Sequence, residues 1–157
     1  MNKRPRIKVE LTLADKIMEV CTYFILILMW VLIFLNFSIL PESIPTHFNA
    51  AGEADDFGNK SSLIVLGVVA SVLVIGMAVL VRFPHLFNYP TTITAENAYR
   101  QYANASRLIR MLNLGIAIIF GGIAYQTIQH ALGVSEGLGQ WFMLLIIALT
   151  AFPIIYF

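Results

Sequence analysis

The chain has 157 residues, 59% of them hydrophobic and 12% charged, and ten Lys and Arg against nine Asp and Glu leave a formal net charge of +1. A composition this apolar excludes an ordinary water-soluble domain, and a near-neutral charge without a basic stripe excludes a nucleic-acid-binding class. The single cysteine, Cys21, excludes an intrachain disulfide and any multi-cysteine metal site. The composition predicts an all-α integral membrane protein.

Four apolar segments predict four transmembrane helices, because about 20 apolar residues are needed to cross a bilayer. The first segment is too long for a secretory signal peptide and is interpreted as an uncleaved anchor. The third helix is expected to begin near residue 95 and to continue into its span without a break, whereas the fourth is marginal in length. The predicted spans lie at about 17–40, 63–81, 111–128 and 138–157 of one membrane domain, 1–157.

The spans carry few polar residues. No Asp, Glu, Lys or Arg is expected within the four apolar cores, so the sequence does not favour an ion or proton pathway. Small residues four positions apart, Gly67 with Ser71 and Ala117 with Gly121, predict that spans two and three pack closely against each other.

The basic residues predict the orientation in the membrane. Nine of the ten fall before span one or between spans two and three, and Lys60 alone falls elsewhere. By the positive-inside rule both termini are expected in the cytoplasm of a multi-pass inner (plasma) membrane protein, with the loop between spans one and two outside. The nine residues are Lys3, Arg4, Arg6, Lys8, Lys16, Arg82, Arg100, Arg107 and Arg110.

The long polar stretch Leu40–Ser62, LPESIPTHFNAAGEADDFGNKSS, is predicted to form a structured extracytoplasmic loop. Alternation over 44–49 favours a short extended segment, and the glycines at 52 and 58 allow unusual backbone angles. A turn is predicted at 55–58. The loop carries four acidic residues against Lys60, so it is net negative.

His47 is the residue in this loop that is best suited to a chemical role. With Glu53, Asp55 and Asp56 it could form a zinc or manganese site, since imidazole and carboxylates are usual ligands of these ions. A structural role for His47, bonded to the backbone of the turn, is the favoured interpretation. No nucleophile–base arrangement, metalloprotease motif or phosphate-binding loop occurs. No enzymatic activity is therefore expected, and no catalytic, cofactor-binding or metal-binding residue is assigned.

The spacing of residues in the loop resembles the signature of a bacterial membrane domain of unknown function. That domain also forms the amino-terminal part of the SdpI-like toxin-immunity proteins, and the polar segment NYPTTITAENAYRQY is similar to the cytoplasmic region of shorter members. The resemblance implies a short member that lacks the carboxy-terminal half of the immunity proteins. In those proteins that half is expected to carry a Gly-Ile-Arg-Thr-Pro-like motif. The matching residues are Leu40-Pro41, Ile44-Pro45, His47-Phe48-Asn49, Gly52-Glu53, Asp56, Gly58 and Lys60.

The function expected from these observations is recognition. A non-enzymatic envelope protein of the immunity or signalling type would sit in the lipid bilayer and bind a peptide or membrane protein through the external loop. Two alternatives stay open. In the first, the protein is a small subunit or assembly factor of a larger membrane complex, or it forms a homo-oligomer. In the second, it is an external metal-dependent enzyme. The hypothetical partner-binding residues are Pro45, His47, Phe48, Asn49, Gly52, Asp56, Gly58 and Lys60.

Overall fold

The computed structural model describes residues 4–157, which form four α-helices and one antiparallel β-hairpin. Lys3, one of the basic residues used for the orientation, lies outside the described range. A 3-10 turn, Pro84–Leu86, lies between the second and third helices. The elements are α1 Leu13–Asn36, β1 Ser43–Phe48, β2 Ala54–Asn59, α2 Ser62–Leu80, α3 Ala98–Ala131 and α4 Gln140–Tyr156.

Three of the helices, α1, α2 and α3, are long and apolar enough to cross a membrane. The fourth, α4, is apolar but has only 17 residues. The structure therefore supports a mostly helical membrane protein with three candidate spans, and it leaves the fourth predicted span as a prediction. The expectation of an all-α chain is wrong in one respect, because the loop between α1 and α2 is a β-hairpin.

Helix α1 begins at Leu13, one turn before the predicted residue 17. The Thr12 side chain accepts a hydrogen bond from the N–H of Asp15, and the Asp15 carboxylate accepts from the N–H of Thr12, a reciprocal capping box that starts the helix. At the other end the Asn36 side chain donates to the carbonyl of Leu32 at 2.8 Å. A side chain thus bonds to the helix backbone at each end.

Helix α3 is the centre of the bundle, and α1, α2 and α4 all pack against it. It runs unbroken for 34 residues, as predicted, although it begins at Ala98 and not near residue 95. Helices α2 and α3 pack against each other, as predicted, but the contact does not join the two small-residue faces. Gly67 lies under the Trp30 ring of α1, where an added Cβ would be 2.9 Å from the ring, and Gly121 faces Ile25 of α1.

The main core lies near one end of the bundle, where the hairpin meets the helices; this end is called the hairpin end. Ile44 of β1 is fully buried there, together with residues of α1, α2 and α3. The hairpin is therefore part of the packed structure and not a loose connection. The core residues are Met29, Ile33, Leu40, Ile44, Leu63, Ala70, Ala124 and Ile128.

The opposite end, called the basic end, holds residues 4–12, the connector 81–97 and the start of α3. Tyr102 is fully buried, and its hydroxyl donates to the carbonyl of Pro5 at 3.0 Å. Arg4 donates to the carbonyl of Phe87 and lies over the Tyr89 ring. These bonds hold the amino-terminal segment across the connector.

Candidate functional site

The hairpin turn is built by Asn49 and Gly52. The Asn49 side-chain oxygen accepts from the N–H groups of Ala51 and Glu53, and the Gly52 N–H donates to the carbonyl of Asn49 at 2.9 Å. Gly52 has φ of 81°, a conformation that favours glycine. The predicted turn at 55–58 is wrong, because those residues belong to β2. An Asn side chain that folds back on its own backbone nucleates the earlier turn.

The hairpin is fastened to the connection between α3 and α4. Leu138 N–H donates to the carbonyl of Gly52 at 2.8 Å, and Glu53 forms an isolated antiparallel bridge with Gly137. The Gln126 side chain of α3 holds the other side of that connection by donating to the carbonyl of Gly137 at 3.0 Å. The two polar connections at the hairpin end thus form one unit.

Aromatic packing reinforces this unit. The His130 ring of α3 lies 6.5 Å from the Phe48 ring and 6.1 Å from the Phe57 ring, centroid to centroid. Its Nδ1 atom is buried and has no hydrogen-bond partner among residues 4–157. The structure therefore brings His130 to the hairpin, but it packs against aromatic rings.

The four residues considered for a metal site are only partly brought together. His47 Nδ1 lies 2.5 Å from Asp55 Oδ1, and both side chains are exposed. Glu53 accepts a hydrogen bond from Asn49, and Asp56 Oδ1 accepts one from the N–H of Phe57. Within residues 4–157 no group of three or more His, Cys, Asp or Glu could hold a metal ion.

Several of the hypothetical partner-binding residues serve the hairpin itself. Pro45 is buried, and an added Cβ at Gly58 would be 2.9 Å from Cγ2 of Thr46 on the opposite strand. The Lys60 ammonium is 3.0 Å from Glu42 and lies over the Phe37 ring, at the base of the hairpin. These three residues, like Asn49 and Gly52, have structural reasons to be where they are, whereas Asp56 is exposed.

Four of the eight hypothetical residues share one groove. The groove has a volume of about 270 Å³ and runs between the hairpin and α4. His47, Phe48, Asn49 and Gly52 form its hairpin side. Pro45, Asp56, Gly58 and Lys60 do not line it. Its other side, formed by helices and by the α3–α4 connection, carries apolar residues: Leu66, Ile123, Leu138, Phe142, Met143 and Ile146.

A charged network at the basic end was not predicted from the sequence. Asp15 is almost fully buried, with its Oδ1 at 3.6 Å from Nε of Arg107 and 3.9 Å from Nη1 of Arg110. Arg110 Nε donates to Glu19 at 2.8 Å. Since α1 begins at Leu13, both acids lie inside a candidate span, which corrects the expectation of uncharged apolar segments.

A signal for this network was present in the sequence. Asp15 and Glu19 are four residues apart and Arg107 and Arg110 three apart, so each pair occupies one helix face. Opposite charges on two faces of apolar helices predict an interhelical ion-pair network, because an isolated charge would be costly there.

Comparison with known proteins identifies the region that contains the second half of α1, the hairpin and the first half of α2. Residues 24–71 match the Domain of unknown function (DUF1648). An uncharacterized protein of Archaeoglobus fulgidus is 31% identical over 144 residues, which cover 83% of this chain and 78% of the archaeal protein. No solved structure matches. This extent of similarity shows that the chain belongs to the same family as the archaeal protein, with the DUF1648 domain at residues 24–71.

Proposed function

We propose that the protein is a non-enzymatic, multi-pass membrane protein that binds a cationic amphipathic peptide in the groove between its hairpin and α4. The observation that carries this proposal is the groove itself, with four loop residues on one side and an apolar helical surface on the other. The apolar face of an amphipathic peptide would contact the helical surface, and its polar face would contact the loop residues. Such grooves are a recurring binding mode for amphipathic helices.

The charge of the hairpin favours a cationic occupant. Lys60 is already paired with Glu42 at 3.0 Å, so it does not offset the remaining acids of the loop. Glu53, Asp55 and Asp56 are all exposed. The loop therefore presents a negative surface beside the groove, which attracts a positively charged peptide and disfavours an anionic one.

The proposed topology has four spans, with the hairpin outside the inner membrane and both termini in the cytoplasm. It is supported by the three long apolar helices and by the concentration of basic residues at one end. Helix α4 is about 25 Å long, somewhat less than a bilayer core of about 30 Å, so it would cross where the bilayer thins locally.

Labelling of introduced cysteines by an impermeant thiol reagent tests the topology. Ala51→Cys lies in the hairpin turn and Asn88→Cys in the connector, both at exposed positions, in a chain whose native thiol is removed by Cys21→Ala. In intact cells the first is expected to react and the second to react only after lysis. The reverse pattern would contradict the proposed orientation.

We further propose that the protein acts in immunity or signalling, as the SdpI-like resemblance implies. Support comes from α3, which is contacted by β1 near the hairpin end and continues through 34 residues to the basic end. A helix of that length spans about 51 Å. It offers one rigid element through which occupancy of the groove can alter the surface at the other end.

Binding of a defined probe tests the proposed site. A fluorescent 18-residue helical peptide of leucine and lysine is titrated against the full chain in nanodiscs of neutral lipid, with empty nanodiscs as background. Met143→Trp fills the groove, and Leu144→Trp adds the same ring to the neighbouring residue, which does not line it. The first is expected to weaken binding by roughly tenfold or more, the second by less than about twofold.

A second pair tests the charge. Asp55→Lys reverses an exposed charge beside the groove, and Glu136→Lys reverses an exposed charge at the same end of the molecule, outside it. Only Asp55→Lys is expected to weaken binding of the cationic peptide substantially. Equal effects within both pairs, or no binding above empty nanodiscs, would overturn the proposal.

The second candidate function is a small subunit of a larger membrane complex. It is favoured by α4, which packs mainly against α3 and leaves large apolar side chains exposed, Leu144 at 69% and Ile155 at 83%. Purification from native membranes with stoichiometric partners, unchanged by Met143→Trp, would favour this function over peptide binding.

A further inference from the structure

A cavity at the basic end is unrelated to the hairpin groove. It has a volume of about 320 Å³ and lies between residues 7–11, the early turns of α1, the end of α2 and α3. Three cationic residues line it, namely Lys8, Arg82 and Arg110, and they come from three different parts of the chain. Residues gathered in this way form a pocket with a positive lining.

A buried hydroxyl marks the wall of this cavity. Ser106 lines it and is only 2% exposed, yet its Oγ has no hydrogen-bond partner in the part of the chain that the structure describes. Leaving a buried hydroxyl without a partner costs free energy, so such groups are normally satisfied. Rotation of the side chain toward the cavity would let the hydroxyl bond to an acceptor oxygen of a molecule there.

The charges around the cavity do not cancel. Glu19 also lines it, but its carboxylate accepts from Arg110 at 2.8 Å, and Asp15 lies between Arg110 and Arg107. These two acids and two arginines compensate each other. Lys8 and Arg82 form no salt bridge within the described residues. The cavity therefore has two positive charges in excess.

We propose that this cavity binds the phosphate of an anionic phospholipid headgroup. Lys8 and Arg82 supply charge, Arg110 adds its guanidinium, and Ser106 Oγ donates a hydrogen bond to a phosphate oxygen. Charge-assisted bonds of this kind are the strongest that protein side chains form with phosphate. The apolar part of the wall, Ala78 and Val81 at the end of α2, suits the glycerol region of a lipid.

The position of the cavity favours a lipid over a soluble phosphate. It lies beside the last turn of α2 and near the start of α1, two of the helices that can cross a membrane. Headgroup phosphates are found at that level of a bilayer. Inorganic phosphate shares the chemistry and serves as the second arm of the test.

The full chain in neutral detergent is titrated with dihexanoyl phosphatidylglycerol, and separately with inorganic phosphate, and bound ligand is measured by native mass spectrometry. The double variant Lys8→Gln/Arg82→Gln is expected to bind phosphatidylglycerol roughly tenfold or more weakly. Arg100→Gln is the matched control, because Arg100 is exposed near the start of α3 and does not line the cavity. Its affinity is expected to stay within about twofold of wild type.

Ser106→Ala separates binding from folding. Removal of an unpartnered hydroxyl is expected to leave the thermal midpoint of the unliganded protein unchanged or higher, while affinity for phosphatidylglycerol falls by roughly threefold to tenfold. Binding of inorganic phosphate alone, with the same variant dependence, would overturn the lipid assignment. The site is refuted if Arg100→Gln weakens binding as much as the double variant, or if neither ligand binds.

Discussion

Gly52→Ala is the most informative single perturbation of the hairpin. The new Cβ would lie 2.6 Å from the backbone N and O of Gly139, and Gly52 has φ of +81°. The left-handed conformation costs a side-chain-bearing residue about 1–2 kcal/mol, and overpacking adds about 1–3 kcal/mol. The free energy that holds the hairpin against the α3–α4 connection is therefore expected to fall by about 2–5 kcal/mol.

Hydrogen exchange of the Leu138 amide measures this loss directly, since that N–H donates to the carbonyl of Gly52. Exchange is expected to accelerate about thirtyfold or more, because each 1.4 kcal/mol is a factor of ten. Gly133→Ala isolates the cost of the backbone conformation, because φ is +74° and the new Cβ would meet no described residue within 4 Å apart from its chain neighbours. Gly76→Ala also has open space, and its φ is not positive. If Gly52→Ala accelerates exchange no more than Gly133→Ala, the close approach to Gly139 is not a real constraint.

Two further predictions concern the basic end. Arg110→Gln removes a partner of buried Asp15 and is expected to lower the free energy of unfolding, measured with denaturant in micelles, by about 3 kcal/mol. The control Arg100→Gln, at an exposed position, should change this free energy by less than about 0.5 kcal/mol. Equal effects of the two substitutions would argue against the network. Burial, reinforced by neighbouring Tyr102, raises the pKa of Tyr89 to about 12 from 10.0. Its contribution to stability should be complete below pH 10 and be lost as the pH rises toward 12. Tyr89→Phe should flatten that alkaline loss, and an unchanged pH profile would contradict the assignment.

The sequence predicted the helices well because bilayer spans need long apolar runs, which hydropathy detects directly. The bounds of α2 are within one residue of the prediction, and α3 is continuous as expected. The start of α1 was missed because Thr12 and Asp15, both polar, form a capping box before the apolar run. Capping depends on a few specific side chains, which hydropathy does not register.

The hairpin could be predicted only in part. Alternation over 44–49 correctly indicates an extended segment, but the Asp-Asp-Phe-Gly run at 55–58 has the composition of a turn and lies in β2. Gly58 is needed there because Thr46 packs across from it, and not because of its backbone angle. A glycine in the sequence does not distinguish these two reasons.

The sequence did not predict which residues from different helices contact each other. Gly67 was expected to face α3, but it lies under the Trp30 ring, while the Trp30 indole N–H donates to Ser71 at 2.9 Å. A single tryptophan can fill the space that small residues leave, so small-residue spacing indicates a close contact without naming the partner. The groove likewise depends on the seating of Gly52 against Gly139.

Photo-crosslinking of the peptide probe tests the proposed binding groove most directly. A benzophenone amino acid is placed at Ile146, which lines the groove, or at the neighbouring Ile147, which does not line it and is 54% exposed. With the leucine–lysine peptide and the full chain in neutral nanodiscs, crosslinks are expected from position 146, and Met143→Trp should abolish them. Crosslinks of equal yield from positions 146 and 147, insensitive to Met143→Trp, would contradict the proposed groove.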